Sequence, residues 1–185
     1  ITQPVNAGCY HHLAQLTRGV LLFPKTQEAV ERLSAIWKTP SFSKIYRARV
    51  GSDGIQAPME IQYPLVHDAN HADRMLARLP GRSIPPTRAR GKDLSAHTTI
   101  LAADPILNSS DLDLTIQIHT GVMHQIRCHL SAIGYPIVGD TIYHGRTSER
   151  MWLHAWRIEF AWPGSNSPKI RIEAPLQNKW NSSQI

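Results

Sequence analysis

The segment from residue 112 to residue 134 constrains the fold more than any other part of this chain. Four apolar side chains alternate there with polar ones, at Leu112, Leu114, Ile116 and Ile118. A period of two is typical of a strand with one buried face. Gly121 then turns the chain into a segment of helical spacing, which Gly134 ends. We therefore predict a strand–turn–helix unit that presents His124, Gln125 and Arg127 near the first turn of its helix.

The remaining elements favour an α+β fold. A helix is predicted over residues 26–38, because apolar side chains lie on one face and Thr26 can cap the first turn. Residues 21–23 predict a short buried strand, and residues 44–50 predict a half-buried strand whose outer face carries Arg47 and Arg49. Residues 96–102, 152–160 and 170–174 also have strand character. Since strands and helices do not alternate regularly, we expect a mixed, mostly antiparallel sheet flanked by helices.

Residues 51–92 are harder to interpret: Gly51, Gly54 and Pro58 suggest a turn, and Pro80-Gly81 and Pro85-Pro86 suggest a long irregular loop. Between Asp73 and Asp93 this stretch has no acidic residue. The cations clustered in and beside the predicted loop are Arg78, Arg82, Arg88, Arg90 and Lys92. Such a run is either a solvated surface or a site for a polyanion. The formal net charge of +6 favours polyanionic partners, such as nucleic acid, through counterion release.

Composition excludes several classes of protein. With 185 residues, of which 42% are hydrophobic, the chain has the size and composition of one domain with a core. No apolar run reaches the roughly 18 to 20 residues that span a bilayer, and the first residues do not have the pattern of a signal peptide, so we expect no membrane partner. Cys9 and Cys128 lie far apart, which indicates a reducing compartment rather than a disulfide scaffold. The ten histidines form no ligand set of metal-binding spacing, and no metal is expected.

Four separated segments resemble those of the RluA-type pseudouridine synthases. Residues 11–19, His-His-Leu-Ala-Gln-Leu-Thr-Arg-Gly, resemble the family's His-Arg-Leu-Asp-x-x-Thr-Ser-Gly loop. Residues 44–48 resemble its Lys-x-Tyr strand, and residues 121–130 resemble its Gly-Arg-Thr-His-Gln-Ile-Arg-Val-His-Leu segment, which residues 134–140 continue. Residues 153–156 and 174–176 resemble its closing strands. The resemblance implies a single pseudouridine-synthase catalytic-type domain over residues 1–185 with a central cleft. The family's opening strand is largely missing, and no separate N-terminal RNA-binding domain is expected.

The resemblance also implies a function. The family isomerises uridine to pseudouridine in rRNA or tRNA without a cofactor, using the loop aspartate as a nucleophile or an electrostatic group. By resemblance, Tyr46 stacks on the flipped base, Arg127 forms an ion pair with the aspartate, and His12 helps to hold the place of the extruded nucleotide. The residues expected to contact RNA are His12, Arg47, Arg49, Arg82, Arg88, Arg90, Lys92, His124 and Gln125.

Ala14 stands at the position of the family's catalytic aspartate, and residues 11–19 contain no acidic residue. We therefore expect no isomerisation, and we expect Arg127 to lack its ionic partner. His12, Leu16 and Arg18 also depart from the family loop. Three histories stay open: a synthase inactivated by mutation, a natural pseudoenzyme that binds RNA in ribosome assembly, and a structural subunit of a ribonucleoprotein. A metal-dependent hydrolase is a remote fourth alternative. Association with a ribosomal particle is consistent with each RNA hypothesis, and the expected location is the cytoplasm or, alternatively, a mitochondrial or other organelle matrix.

Overall fold

The structure is a computed structural model, and it describes residues 16–37, 39–51, 54–162, 168–176 and 180. Within these ranges the chain forms two helices, α1 at Gln27–Ile36 and α2 at Gln125–Ala132. The first five strands are β1 at Arg18–Gly19, β2 at Phe42–Gly51, β3 at Met59–Ile61, β4 at Leu65–Asp68 and β5 at Met75–Ala77. The other five are β6 at Ala89–Leu94, β7 at Thr98–Pro105, β8 at Asp111–Ile118, β9 at Leu153–Phe160 and β10 at Ile170–Glu173.

Seven strands form the main sheet, in the order β1-β9-β2-β8-β7-β3, with β10 paired to β9. All neighbours are antiparallel except β1 and β9, which are parallel. The centre of the sheet is the long register of β2 on β8, from Lys44 opposite Ile118 to Gly51 opposite Asp111. The prediction of an α+β fold with a mixed, mostly antiparallel sheet is confirmed.

Both helices pack on the same face of the sheet. Helix α1 buries Leu33 and Ile36 against Phe42 of β2, and α2 buries Leu130 in the core that contains Ala48. Phe42 and Ala48 are an even number of residues apart on β2, so their side chains share one face. Thr26 caps α1, accepting a hydrogen bond from the Ala29 backbone N–H at 3.2 Å, as the sequence predicted. No helix of the described residues is long and apolar enough to cross a membrane.

A second sheet of three strands, in the order β5-β4-β6, lies beside the start of α2. Met75 of β5 and Leu65 of β4 share a buried cluster with Cys128 of α2 and with Tyr143. The Tyr143 hydroxyl accepts a hydrogen bond from the Met75 backbone N–H at 2.8 Å. These contacts attach the small sheet to the helix that carries the candidate site.

One sequence prediction about secondary structure was wrong. Residues 21–23 form no strand, because the chain leaves the sheet after Val20, and Leu21 and Phe23 are 39% and 57% exposed. The loop predicted around residues 80–86 lies between β5 and β6, but the stretch that the sequence left uninterpreted also holds the strands β3, β4 and β5. These short strands are stabilised by pairing with distant residues, such as Met59 with Ile100, which glycine and proline content does not reveal.

Candidate functional site

The site is built around the first turn of α2. His124 precedes the helix in a left-handed conformation with a φ of 53°, and its side chain makes no capping hydrogen bond. Its Nε2 lies 2.9 Å from Nη1 of Arg127, and its Nδ1 lies 3.4 Å from the hydroxyl of Tyr143. Burial and the neighbouring Arg127 charge lower the pKa of His124. The imidazole therefore stays neutral near pH 7 and accepts a hydrogen bond from the guanidinium.

Arg127 has a carboxylate partner within the described chain. Its Nε and Nη2 donate to the two Asp140 oxygens at 2.6 and 2.7 Å. The side chains of Arg127 and Asp140 are 4% and 0% exposed. Asp140 also accepts from the backbone N–H groups of Ile142 and Tyr143, both at 3.1 Å. The expectation that Arg127 lacks an ionic partner was wrong, because a residue thirteen positions along the chain supplies the carboxylate.

Gln125 uses its whole amide inside the protein. Its Oε1 accepts from the Thr120 hydroxyl at 2.7 Å and from the Val122 backbone N–H at 3.2 Å. Its Nε2 donates to the His97 carbonyl at 2.8 Å and to the Thr98 hydroxyl at 3.0 Å. An amide has no further strong donor or acceptor capacity to offer, and Gln125 is buried. Its predicted contact with RNA is therefore corrected to a structural role, in which it fixes the turn before α2 against β7.

His129 and Thr98 extend this buried network, and the sequence analysis had not singled them out. The Thr98 hydroxyl lies 2.9 Å from Nδ1 of His129, whose Nε2 lies 2.9 Å from the Tyr63 carbonyl. Because a carbonyl only accepts, Nε2 carries the proton and Nδ1 accepts from Thr98. Burial lowers the pKa of His129. The family segment has His-Leu at residues 129–130, and this match could have indicated that His129 is important.

Tyr46 lies at the centre of the main sheet, opposite Ile116 of β8 and Ala155 of β9. Its ring packs against the apolar core on the face that carries both helices. Burial raises the pKa of Tyr46 to about 12. The phenol therefore stays neutral near pH 7, and its chemistry at this place is that of a rigid ring rather than of a base.

Arg47 and Arg49 alternate with Tyr46 and point to the other face of the sheet. Arg47 donates to Thr115 at 2.8 Å and lies 3.7 Å from Asp104. Arg49 is buried, forms a two-point ion pair with Asp113 at 2.9 and 3.2 Å, and donates to the Trp180 carbonyl at 2.7 Å. The predicted basic outer face is thus wrong for Arg49, whose charge is already neutralised by an acid across the strand pair.

The predicted basic stretch lies around β6 of the small sheet, where Arg82, Arg90 and Lys92 are exposed. Arg88, at the end of a short 3-10 turn, is also exposed and lies 3.8 Å from the buried Asp68. Arg78 pairs with Asp93 at 3.0 Å. The structure therefore places Arg90 and Lys92 on β6 and Arg82 and Arg88 in the connection before it, whereas Arg78 belongs to a local ion pair.

Ala14 and His12 lie outside the described residues. Leu16, which follows them, has a φ of 72° and is 64% exposed. Val122 is a further departure from the family segment, which has arginine at that position. It packs partly buried beside Cys128 and Tyr143, next to the start of α2.

An exposed polar cluster lies at the edge of the main sheet. His97 contacts Glu60, and Thr99 donates to Glu60 at 3.0 Å and lies 2.9 Å from His119. Across the described ranges, no group of three or more His, Cys, Asp or Glu side chains could hold a metal ion.

Comparison with known proteins identifies the family. The sequence model of RNA pseudouridylate synthases matches residues 2–132. Ribosomal large subunit pseudouridine synthase C of Yersinia pestis is 29% identical over 179 residues, which cover 91% of this chain and 52% of that protein. Ribosomal large subunit pseudouridine synthase D of Nitrosomonas europaea is 30% identical over 192 residues, which cover 95% of this chain and 50% of that protein. The chain thus spans about half the length of the curated relatives that it matches.

Two solved structures share the fold. The human RNA pseudouridylate synthase domain containing 1 superposes with a TM-score of 0.71 at 20% identity, covering 90% of this chain and 68% of that one. The human RNA pseudouridylate synthase domain containing 4 also gives 0.71, at 19% identity, covering 93% and 72%. The match of the family model to most of the chain, together with relatives named as ribosomal large subunit synthases, shows that this chain belongs to the RNA pseudouridylate synthase family and is of the RluA type.

Proposed function

We propose that this chain binds RNA as a pseudouridine synthase-like domain and, with Ala14 in place of the aspartate, does not isomerise uridine. The RNA is rRNA or tRNA, no cofactor takes part, and a ribosomal particle is a candidate partner. The relatives from Yersinia pestis and Nitrosomonas europaea carry the name of ribosomal large subunit enzymes, which favours rRNA. Of the two compartments expected from the sequence, we propose the cytoplasm, with an organelle matrix as the alternative.

The observation that carries the proposed inactivity is the state of Arg127. In the role expected from the family resemblance, this arginine balances the charge of the catalytic carboxylate. Here two of its nitrogens donate hydrogen bonds to Asp140, and the third contacts His124. A carboxylate restored at residue 14 would therefore find no free charge on Arg127. The family segment has another arginine, at the position of Val122, and this chain lacks it. The missing acid at residue 14, the engagement of Arg127 by Asp140 and the missing second cation at residue 122 together support the proposed loss of catalysis.

The combined departures favour a natural pseudoenzyme over a single inactivating substitution. Besides Ala14, residues 12, 18, 122, 123 and 128 differ from the family segments quoted above. A single engineered change would leave those five positions intact. Of the three hypotheses we therefore favour an RNA-binding assembly factor. A mutated synthase ranks second, and a purely structural ribonucleoprotein subunit ranks third.

Binding does not require the carboxylate, and the small sheet offers a surface for it. Arg90 and Lys92 of β6 and Arg82 of the connection before it are exposed, and the small sheet packs on α2 through Met75 and Cys128. Phosphate contacts of such cations position an RNA and release counterions, without selecting sequence. The proposal therefore predicts salt-dependent binding to RNA of varied sequence.

The test is a salt titration of affinity for single-stranded RNA, with the protein and with the triple variant Arg82→Ala, Arg90→Ala, Lys92→Ala. If the three cations each neutralise one phosphate, the slope of log K against log salt should flatten by about 2 in the triple variant. Arg78→Ala is the matched control, because Arg78 is already paired with Asp93 and should change the slope little. A slope that is equal in all three proteins would mean that the basic sheet is only a solvated surface.

The same preparations are assayed for pseudouridine in total RNA under single-turnover conditions. We expect no product, because stacking by Tyr46 cannot replace a group that attacks or balances charge at the sugar. Robust product from the unaltered chain would contradict the assignment of residues 11–19 to the active-site loop.

A further inference from the structure

A cavity of about 210 Å³ lies beside the paired strands β1 and β9. Its lining includes Arg18 of β1, Arg150 before β9, His154 of β9 and Trp180. His154 is the β9 partner of Arg47, on the face where Arg49 donates to the Trp180 carbonyl. None of the described lining residues belongs to α2, so the cavity is separate from the site at the start of that helix.

The lining of this cavity is positively charged. Arg18 and Arg150 both contribute to it, and none of the described residues that line it is acidic. Burial lowers the pKa of Arg150, the charges of Arg18 and Arg49 lower it further, and the charge of Glu149 opposes this shift. The buried carboxylate of this region, Asp113, is already paired with Arg49. An anion in the cavity would relieve the repulsion between Arg18 and Arg150.

Aromatic groups complete the cavity. The Arg150 guanidinium lies 3.9 Å from the centroid of the Trp152 ring, and that ring meets Trp180 at 5.3 Å in a T-shaped contact. Trp180 is 5% exposed, and its buried indole N–H has no hydrogen-bond partner in the part of the chain that is described. A buried donor without an acceptor is unfavourable, so an acceptor supplied by a ligand would stabilise it.

The size of the cavity limits its occupant. It is smaller than the roughly 300 Å³ at which pockets begin to enclose a drug-sized ligand. Arginine matches phosphate through two parallel N–H···O bonds. A phosphate monoester with part of its sugar fits this volume, and its three terminal oxygens offer more acceptors to two guanidinium groups than an internal phosphodiester does.

We propose that this cavity binds the phosphate monoester of a nucleotide between Arg18 and Arg150, with the Trp180 indole N–H as a further donor. The monoester comes from a free nucleotide or from the 5′ end of an RNA. Only the second source rests on the proposed RNA-binding function. Arg18 stands where the family loop has serine, so the site would be a property of this chain rather than of the family loop.

The test is calorimetric titration of the full chain with uridine monophosphate, inorganic phosphate and uridine. The variants are Arg18→Ser, Arg150→Gln and Trp180→Phe, and Lys169→Gln is the control, because it removes one exposed charge away from the cavity lining. We expect binding of the monophosphate and of phosphate at about 1 mM or tighter, and none of uridine. Arg18→Ser should weaken both by about ten-fold or more, since a charge-assisted bond is lost, and Lys169→Gln should not. Arg18→Ser also keeps the test valid if Arg150→Gln unfolds, because Arg18 is exposed.

A second arm distinguishes the sources, using an oligoribonucleotide with and without a 5′ phosphate. A preference for the phosphorylated form that Arg18→Ser abolishes assigns the site to RNA ends, and equal binding of the two forms assigns it to free nucleotides. Absence of binding of the monophosphate, or equal affinity in wild type and Arg18→Ser, would overturn the proposal. Loss of the proposed RNA-binding function would show instead as a flat salt slope, which this titration does not measure.

Discussion

Replacement of Arg127 by methionine should strongly destabilise the fold. Methionine retains much of the side-chain volume but leaves the carboxylate of Asp140, which is fully buried, without its cation. Breaking a buried ion pair by removing one partner costs about 3 to 5 kcal/mol. Folded domains have only about 5 to 15 kcal/mol of stability, so this is a large fraction of the total. For a chain of this size the melting temperature should fall by about 6 to 20 °C.

The assay is urea unfolding of Arg127→Met, Asp140→Asn and the double variant. Asparagine keeps an oxygen that can accept from the backbone N–H groups of Ile142 and Tyr143, but it removes the charge. The double variant should therefore be more stable than the sum of the single losses predicts, with a coupling of about 2 kcal/mol. Arg78→Met is the matched control, since its pair with Asp93 has a similar 3.0 Å distance but is exposed, and it should cost less than about 1 kcal/mol.

A loss below about 1 kcal/mol for Arg127→Met, or a gain of stability, would refute this reasoning, because exposed pairs show values in that range. Such a result would support the original interpretation, in which the ionic partner of Arg127 is a carboxylate at residue 14. Equal effects of Arg127→Met and the Arg78→Met control would lead to the same conclusion.

Three further outcomes are expected. Ala14→Asp alone should yield little or no pseudouridine, because Arg127 is engaged by Asp140. The double variant Ala14→Asp, Val122→Arg should yield more. Equal single-turnover product from the two variants would argue against a role for residue 122. His129 has a lowered pKa in the folded state, so the unfolded chain binds more protons below about pH 6.5, and unfolding free energy should fall by up to about 1.4 kcal/mol per pH unit as the solution is acidified. Urea titrations of wild type and His129→Gln between pH 7 and pH 5 measure this, and an unchanged slope in the variant would contradict it. Thr26→Ala should lower stability by about 1 kcal/mol through loss of the α1 cap, measured by the same method, and a change near zero would mean that solvent replaces the cap.

Much of the fold could be predicted from local pattern. The alternation at residues 112–118, the apolar stripe of α1 with its Thr26 cap, and the glycine at residue 134 with a φ of 90° are local signals, and each element forms where its pattern indicates. Period and capping depend on neighbours within a few residues, so the sequence alone carries them. The family segments also identified the domain, since four motifs in order are specific.

The partners of the charged side chains were decided by the tertiary structure. Arg127 meets Asp140, and Arg49 meets Asp113 sixty-four residues away, so neither cation is free in the way that its sequence position suggested. Gln125 saturates its amide on a turn and a strand that only the fold brings together. An ion pair depends on the distance between two charged groups in the folded protein and on the dielectric around them. The linear sequence pattern does not encode that distance. The sequence by itself determined that the carboxylate is missing at Ala14, because the residue types of the loop can be read without knowledge of the fold.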